Sequence, residues 1–288
     1  MATIVTLDIF SGRPNPTWVL SETDSKKLVE RINAVETVTA QKPSGAMGGL
    51  GYRGFLLNHT PHSVQTHAAM HIHEGIIDKG INEANLISRD REIESFLLST
   101  APKAVHDDVK TLVAAEIKGN LTAAPEVFRQ PPHAICPKCK AKDAPPYNPA
   151  KWNIPTVQPY NNCYNYANDH ITNTFAQPGR AHGKMYTALT CASVNPAAIA
   201  DGLVNSPNFA RPLGPGKGWY VALVIWPGVD YHWYRQDNVG CWSHKPGSTA
   251  ARNTDNSGKK ITDPKTCDRG PYITFCTYMI TNRRVVIS

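Results

Sequence analysis

The run Trp219-Tyr220-Val221-Ala222-Leu223-Val224-Ile225-Trp226, the turn Pro227-Gly228, and the stretch Val229-Asp230-Tyr231-His232-Trp233-Tyr234-Arg235-Gln236-Asp237-Asn238-Val239-Gly240-Cys241-Trp242-Ser243-His244 decide the fold class of this chain. The apolar run has the length of a buried strand and falls far short of the ~20 residues that a bilayer demands. Pro-Gly reverses the chain. Asn238-Val239-Gly240 then reads as a three-residue hairpin loop with Gly240 left-handed, pairing Asp237 with Cys241. Period-two alternation puts His232, Tyr234, Gln236, Trp242 and His244 on one face, whereas a two- or four-residue loop would turn His244 to the other.

Working outward, Tyr272 to Ile280 is a further strand. Upstream, Pro196 opens a short helix over Asn195 to Leu203, and Asn162 caps a helix expected to run from Cys163 to about Asn173, ahead of Pro178-Gly179. A helix followed by an antiparallel sheet is an α+β arrangement. Prolines crowd the stretch before it, at 125, 131, 132, 137, 145, 146, 149, 155 and 159. They exclude long helix and read as a surface linker. The division expected is an accessory domain at 1–124, a Pro-rich linker at 125–146 and a second domain at 147–288. The accessory domain reads as small and α/β. It has strands over Ile4 to Phe10, at Trp18-Val19-Leu20, over Tyr52 to Leu57 and over His71 to Ile77. Its helices start at Ser21, which stands three residues before Asp24, at Asp90 and at Lys103.

Cys163 lies in Tyr160-Asn161-Asn162-Cys163-Tyr164-Asn165-Tyr166-Ala167. In the first turn of a helix, unpaired amides favour a thiolate and can hold a developing oxyanion. A thiolate nucleophile needs a base, and His232, on a rigid strand, suits that role. His244 is placed to orient it, with Asp237 as an alternative whose simpler role is turn former. Gln158, Asn161 and Tyr164 are the candidate oxyanion or substrate-binding residues, with linker and capping roles as the simpler reading of Gln158 and Asn161.

This order of residues resembles the papain-like cysteine hydrolases, especially NlpC-type and CHAP-type amidases and peptidases, over roughly residues 145 to 288. The resemblance implies a nucleophile-bearing helix on an antiparallel sheet, with Cys163 as nucleophile, His232 as base and His244 in the orienting position. It also implies amide-bond hydrolysis, with peptides such as peptidoglycan stems as substrate. Trp242-Ser243-His244-Lys245-Pro246-Gly247, with Asp263-Pro264 and Asp268-Arg269-Gly270-Pro271-Tyr272 downstream, marks a variant group. Acyl transfer would use the same pair. The chemistry calls for no metal and no organic cofactor. A reading from another class is a secreted, toxin-like or interaction protein without activity, whose cysteines are structural.

The seven cysteines, 136, 139, 163, 191, 241, 267 and 276, fit one free thiol plus three disulfides, or free thiols in a reducing compartment. Cys136-Pro137-Lys138-Cys139 with His133 makes half a zinc site, for which separate disulfides or free thiols are the simpler reading. His59, His62, His67, His71 and His73, with Glu74, form a histidine cluster that serves as a solvated face or a partner surface more readily than as a metal site. The N-terminal domain has room for a partner or an inhibitor. Net charge is +7, from 30 basic against 23 acidic residues, but the basic residues are scattered and no nucleic-acid motif accompanies them. The N-terminus shows no secretory signal, so secretion would need another route.

Overall fold

Every strand pairing in both sheets is antiparallel, whether the strands are neighbours in the chain or far apart in it. The computed structural model describes residues 2–35, 49–58, 70–79, 86–88, 91–119, 135–137 and 141–288. It divides into two units. One takes in Met1–Ile9, Asn15–Met47 and Tyr52–Val127, the other Phe10–Pro14, Gly48–Gly51 and Phe128–Ser288.

In the first unit the strands are β1 (Ile4–Leu7), β2 (Thr17–Val19), β3 (Phe55–Asn58), β4 (Met70–His73), β5 (Ile76–Asp78) and β6 (Leu86–Ile87), in the order β2-β1-β3-β4-β5-β6. Every pairing is antiparallel. The unit is therefore α+β and not the α/β expected, because an α/β sheet is built on parallel strands and these pairs are antiparallel. The single strand read over His71 to Ile77 is two. Glu74 and Gly75 both take positive φ, 52° and 74°, and fold it into a hairpin. Helix α1 (Glu22–Asn33) begins at Ser21, whose side chain accepts from the Asp24 amide at 3.0 Å. It buries Leu28 and Ile32. Helices α2 (Glu92–Ser99) and α3 (Asp107–Gly119) follow. The buried Arg53 guanidinium pairs with Asp8 at 2.7 Å.

The second unit carries α4 (Pro149–Trp152), α5 (Cys163–Ala167), α6 (Cys191–Ala200), β7 (Val204–Ser206), β8 (Trp219–Trp226), β9 (Asp230–Gln236), β10 (Trp242–His244) and β11 (Thr274–Thr281). The strands lie in the order β10-β9-β8-β11-β7. Tyr164 and Ala167 of α5 and Val194 and Ala198 of α6 pack on Val221, Leu223, Ile225, Tyr231, Trp233 and Met279 of the sheet. All eight residues of β8 are buried, so both faces of this sheet are covered. Helix α5 stops at Ala167, six residues before the expected end. Its C-cap is Asn168, and Asp169, Asn173 and Phe175 take φ of 53–56° beyond it, a conformation that no helix continues through. Disulfides join Cys136 to Cys241 and Cys191 to Cys276.

Candidate functional site

The hairpin of β9 and β10 builds one half of the site. The Asp237 amide bonds the Cys241 carbonyl at 2.8 Å, and Gly240 has φ 91°, so the loop is the three-residue one. Trp242 faces Gln236 and His244 faces Tyr234 across the strands. His232 and His244 consequently share a face, and His232 Nε2 lies 2.8 Å from His244 Nδ1. Both rings are fully buried.

Cys163 is a free thiol, fully buried, at the first position of α5. Asn162 caps that short helix and closes a capping box with Asn165. Burial pushes the thiol well above its ordinary pKa, and the Asp230 carboxylate adds to the rise. Hydrogen bonds from the Trp233 backbone and the Ser11 side chain, and the charge of Lys245, pull the other way.

Cys163 packs with Tyr231 and Trp233, which alternate with His232 along β9 and face the opposite side. Ser11 bonds His232 Nδ1, and its hydroxyl also acts to lower the pKa of Cys163. Among the described residues, β10 pairs only with Tyr234, Arg235 and Gln236, which leaves the outer edge of β9 at Asp230 to Trp233 without a strand neighbour.

The proton positions follow from the end of the chain. His244 Nε2 lies 3.1 Å from the Thr254 carbonyl, an acceptor only, so it carries the hydrogen. Burial holds His244 at a pKa of about 3, with Arg252 adding to the fall and the Thr254 carbonyl opposing it. Its Nδ1 is therefore a lone pair that accepts from His232 Nε2–H. With His232 neutral, Nδ1 then accepts the Ser11 hydroxyl hydrogen.

Ser11 belongs to a short backbone strap pinned at both ends of its polar groups. The Asp230 carboxylate accepts from the amides of Ser11 (2.6 Å), Gly12 (3.1 Å) and Arg13 (3.1 Å), and from the Tyr272 hydroxyl (2.6 Å). Burial raises the Asp230 pKa, with these donors opposing the rise. The Gly12 carbonyl accepts from Asn162 Nδ2 (2.7 Å), Gln177 Nε2 (2.8 Å) and the Tyr231 hydroxyl (3.1 Å). The buried Lys245 ammonium donates to the carbonyls of Gln158 (2.6 Å), Gly247 (2.7 Å) and Asn161, fixing the segment that leads into α5.

The other sequence candidates are engaged elsewhere. Asn161 staples a loop, donating to Val157 and Asn173 and accepting from the amides of Thr172 and Asn173. The Tyr164 hydroxyl donates to Asp201 at 2.8 Å. Gln158 contributes its carbonyl to Lys245. Asp237 pairs with Arg235 at 3.1 Å and accepts from Ser243 at 2.8 Å, so it holds the hairpin and not the imidazole. Cys136 is in a disulfide and is lost to any zinc site; Cys139 and His133 lie outside the described residues, as do His59, His62 and His67. His71 and His73 stack with ring centroids 6.1 Å apart, and His71 Nε2 meets the Arg53 carbonyl at 2.8 Å. Among the described residues no group of three His, Cys, Asp or Glu side chains is arranged to hold a metal ion.

Sequence reasoning missed Ser11, Asp230, Gln177, Tyr231 and Lys245. Ser11-Gly12-Arg13-Pro14 reads as a turn cluster, and its partner His232 stands 221 residues away. A buried aspartate opening the strand that carries the base was the one available signal.

No family model matches the chain, and no solved structure matches it significantly. Among curated proteins, insoluble matrix shell protein 1 of Ruditapes philippinarum is 51% identical to it over 133 residues, 46% of this chain and 87% of that protein. No described helix is long and apolar enough to cross a membrane.

Proposed function

This chain belongs to the family of insoluble matrix shell protein 1, and we propose that it is an extracellular, thiol-dependent amide hydrolase of papain-like character that the structure holds in a closed form. The reading rests on one observation, the hydrogen-bonded series from Ser11 through His232 and His244 to the Thr254 carbonyl, whose first hydroxyl also lowers the pKa of Cys163. Two disulfides agree with an oxidising, extracellular setting.

In the reaction the Cys163 proton passes to His232 Nδ1. The thiolate adds to a peptide carbonyl, and the imidazolium returns the proton to the departing amine as the C–N bond breaks. Water, deprotonated by His232, then releases the acyl group from the thioester. Where an amine replaces water, the same residues carry out acyl transfer. His244 stays neutral throughout and stabilises the imidazolium by accepting its Nε2–H.

A second reading is favoured by the name of the relative: a matrix protein without activity, in which the same residues are a packed polar core. The two are separated by treating the full chain with a peptidyl electrophile in sub-denaturing urea, which opens local segments, and mapping the adduct. Modification of Cys163 that is lost in His232→Ala supports the hydrolase. Modification of Cys267 alone, or labelling of Cys163 as fast without His232, supports the structural protein.

A further inference from the structure

The strap at Ser11–Arg13 has the features of a bound peptide. Its middle carbonyl enters a pocket of three buried donors, Asn162, Gln177 and Tyr231, on side chains adjacent to Cys163 and His232 in the chain or beside them in the core. Its following amide, that of Arg13, is held by Asp230. The hydroxyl of its preceding residue bonds the imidazole. The Asn162 and Gln177 amides match the two lone pairs of that oxygen, and the Tyr231 hydroxyl beside it divides its one hydrogen between the carbonyl at 3.1 Å and Gln177 Oε1 at 3.0 Å, so the pocket is fully supplied with donors. The glycine is required by shape: a Cβ at Gly12 would stand 2.6 Å from two ring carbons of Tyr231.

We infer that Asn162, Gln177 and Tyr231 form a carbonyl-binding pocket for glycyl peptides, and that Ser11-Gly12-Arg13 fills it as an internal ligand which a substrate must displace. This deepens the hydrolase reading and rests on it for the word substrate. The pocket and its occupant stand on the geometry alone. The ligand class is a peptide presenting a glycine carbonyl followed by a secondary amide, whose N–H takes the place of Arg13 N–H on Asp230.

The test reads access to Cys163 with iodoacetamide, a small reagent that needs no catalysis. In Gly12→Ala, with the fold checked by near-ultraviolet circular dichroism, labelling of Cys163 is expected to rise by about tenfold or more, the displacement that overpacking of this size produces. The synthetic peptide Phe-Ser-Gly-Arg-Pro added to that variant is expected to slow labelling, and Phe-Ser-Ala-Arg-Pro to leave it unchanged. Equal labelling of the variant and the parent chain, or equal effects of the two peptides, overturns the inference. If Gly12→Ala does not fold, hydrogen exchange in the parent chain decides. The amides of Ser11, Gly12 and Arg13 are expected to exchange faster than those of β8 and β9, and exchange only as fast as global unfolding overturns the inference. Faster iodoacetamide labelling without any His232-dependent adduct would refute the hydrolase and leave the pocket standing.

Discussion

A single backbone carbonyl, that of Thr254, sets the proton positions of two histidines and a serine, because it can only accept. The consequence for pH is definite. His244 stays neutral in the fold down to about 3, whereas the unfolded chain takes up that proton near 6.5. Stability is therefore full above the ordinary imidazole value and is lost progressively as pH falls from there. His73, also lowered to about 3 by burial, acts with the same sign in the first unit. Asp230 acts with the opposite sign, since its raised pKa lets the fold bind a proton more readily than the unfolded chain does. Urea midpoints measured from pH ~7.5 down to ~5 should fall, and His244→Gln should flatten the slope by about one proton. An unchanged slope in the variant would mean that His244 is charged in the fold. At this scale the sequence was legible where period two governs: His232 and His244 share a face once the loop length is right. Ser11 was not legible, because its role depends on a contact across 221 residues, and a serine before glycine carries its own local explanation as a turn residue.

The elements divide in the same way. The strand runs from Trp219 and Thr274 announce themselves by apolar length, and they form the long central pair of the second sheet. Helix α5 announces only its beginning. Asn162 is a cap by type, but the end at Ala167 is set by Asn161 and Asn165 side chains that fold the next ten residues into a loop, a tertiary effect that no local propensity carries. The central pair has one intolerant position at its end. Gly218 has φ 81°, and a Cβ there would press on the Thr281 carbonyl, whose carbon is 2.9 Å away. Gly218→Ala is expected to cost about 2 kcal/mol or more by combined backbone strain and overpacking. Chemical denaturation measures it, and a loss below ~0.5 kcal/mol, ordinary for a surface change, would show that the strand end moves freely.

The described molecule groups into two compact units. What composition could not show is that Phe10–Pro14 and Gly48–Gly51 group with the second unit. A unit assembled from three separated stretches of chain leaves no mark on hydropathy or charge. The cysteine count left the pairing open. Two bridges with sequence separations of 105 and 85 restrict the unfolded chain strongly, and each contributes about 4 to 5 kcal/mol on chain-entropy grounds. Reduction should therefore lower the melting temperature of the second unit by about ten degrees or more, at the ~2–4 °C per kcal/mol of a domain of this size. A transition unmoved by reductant would show that packing alone sustains the sheet.

The two bridges also interleave: 136 to 241 begins before 191 to 276, and ends inside it. Any one break in the backbone between Cys136 and Cys276 leaves both pieces tied by at least one covalent link. A protease that nicks this region once releases nothing, and the body persists in place, wounded but whole, until a reducing agent or a second cut arrives.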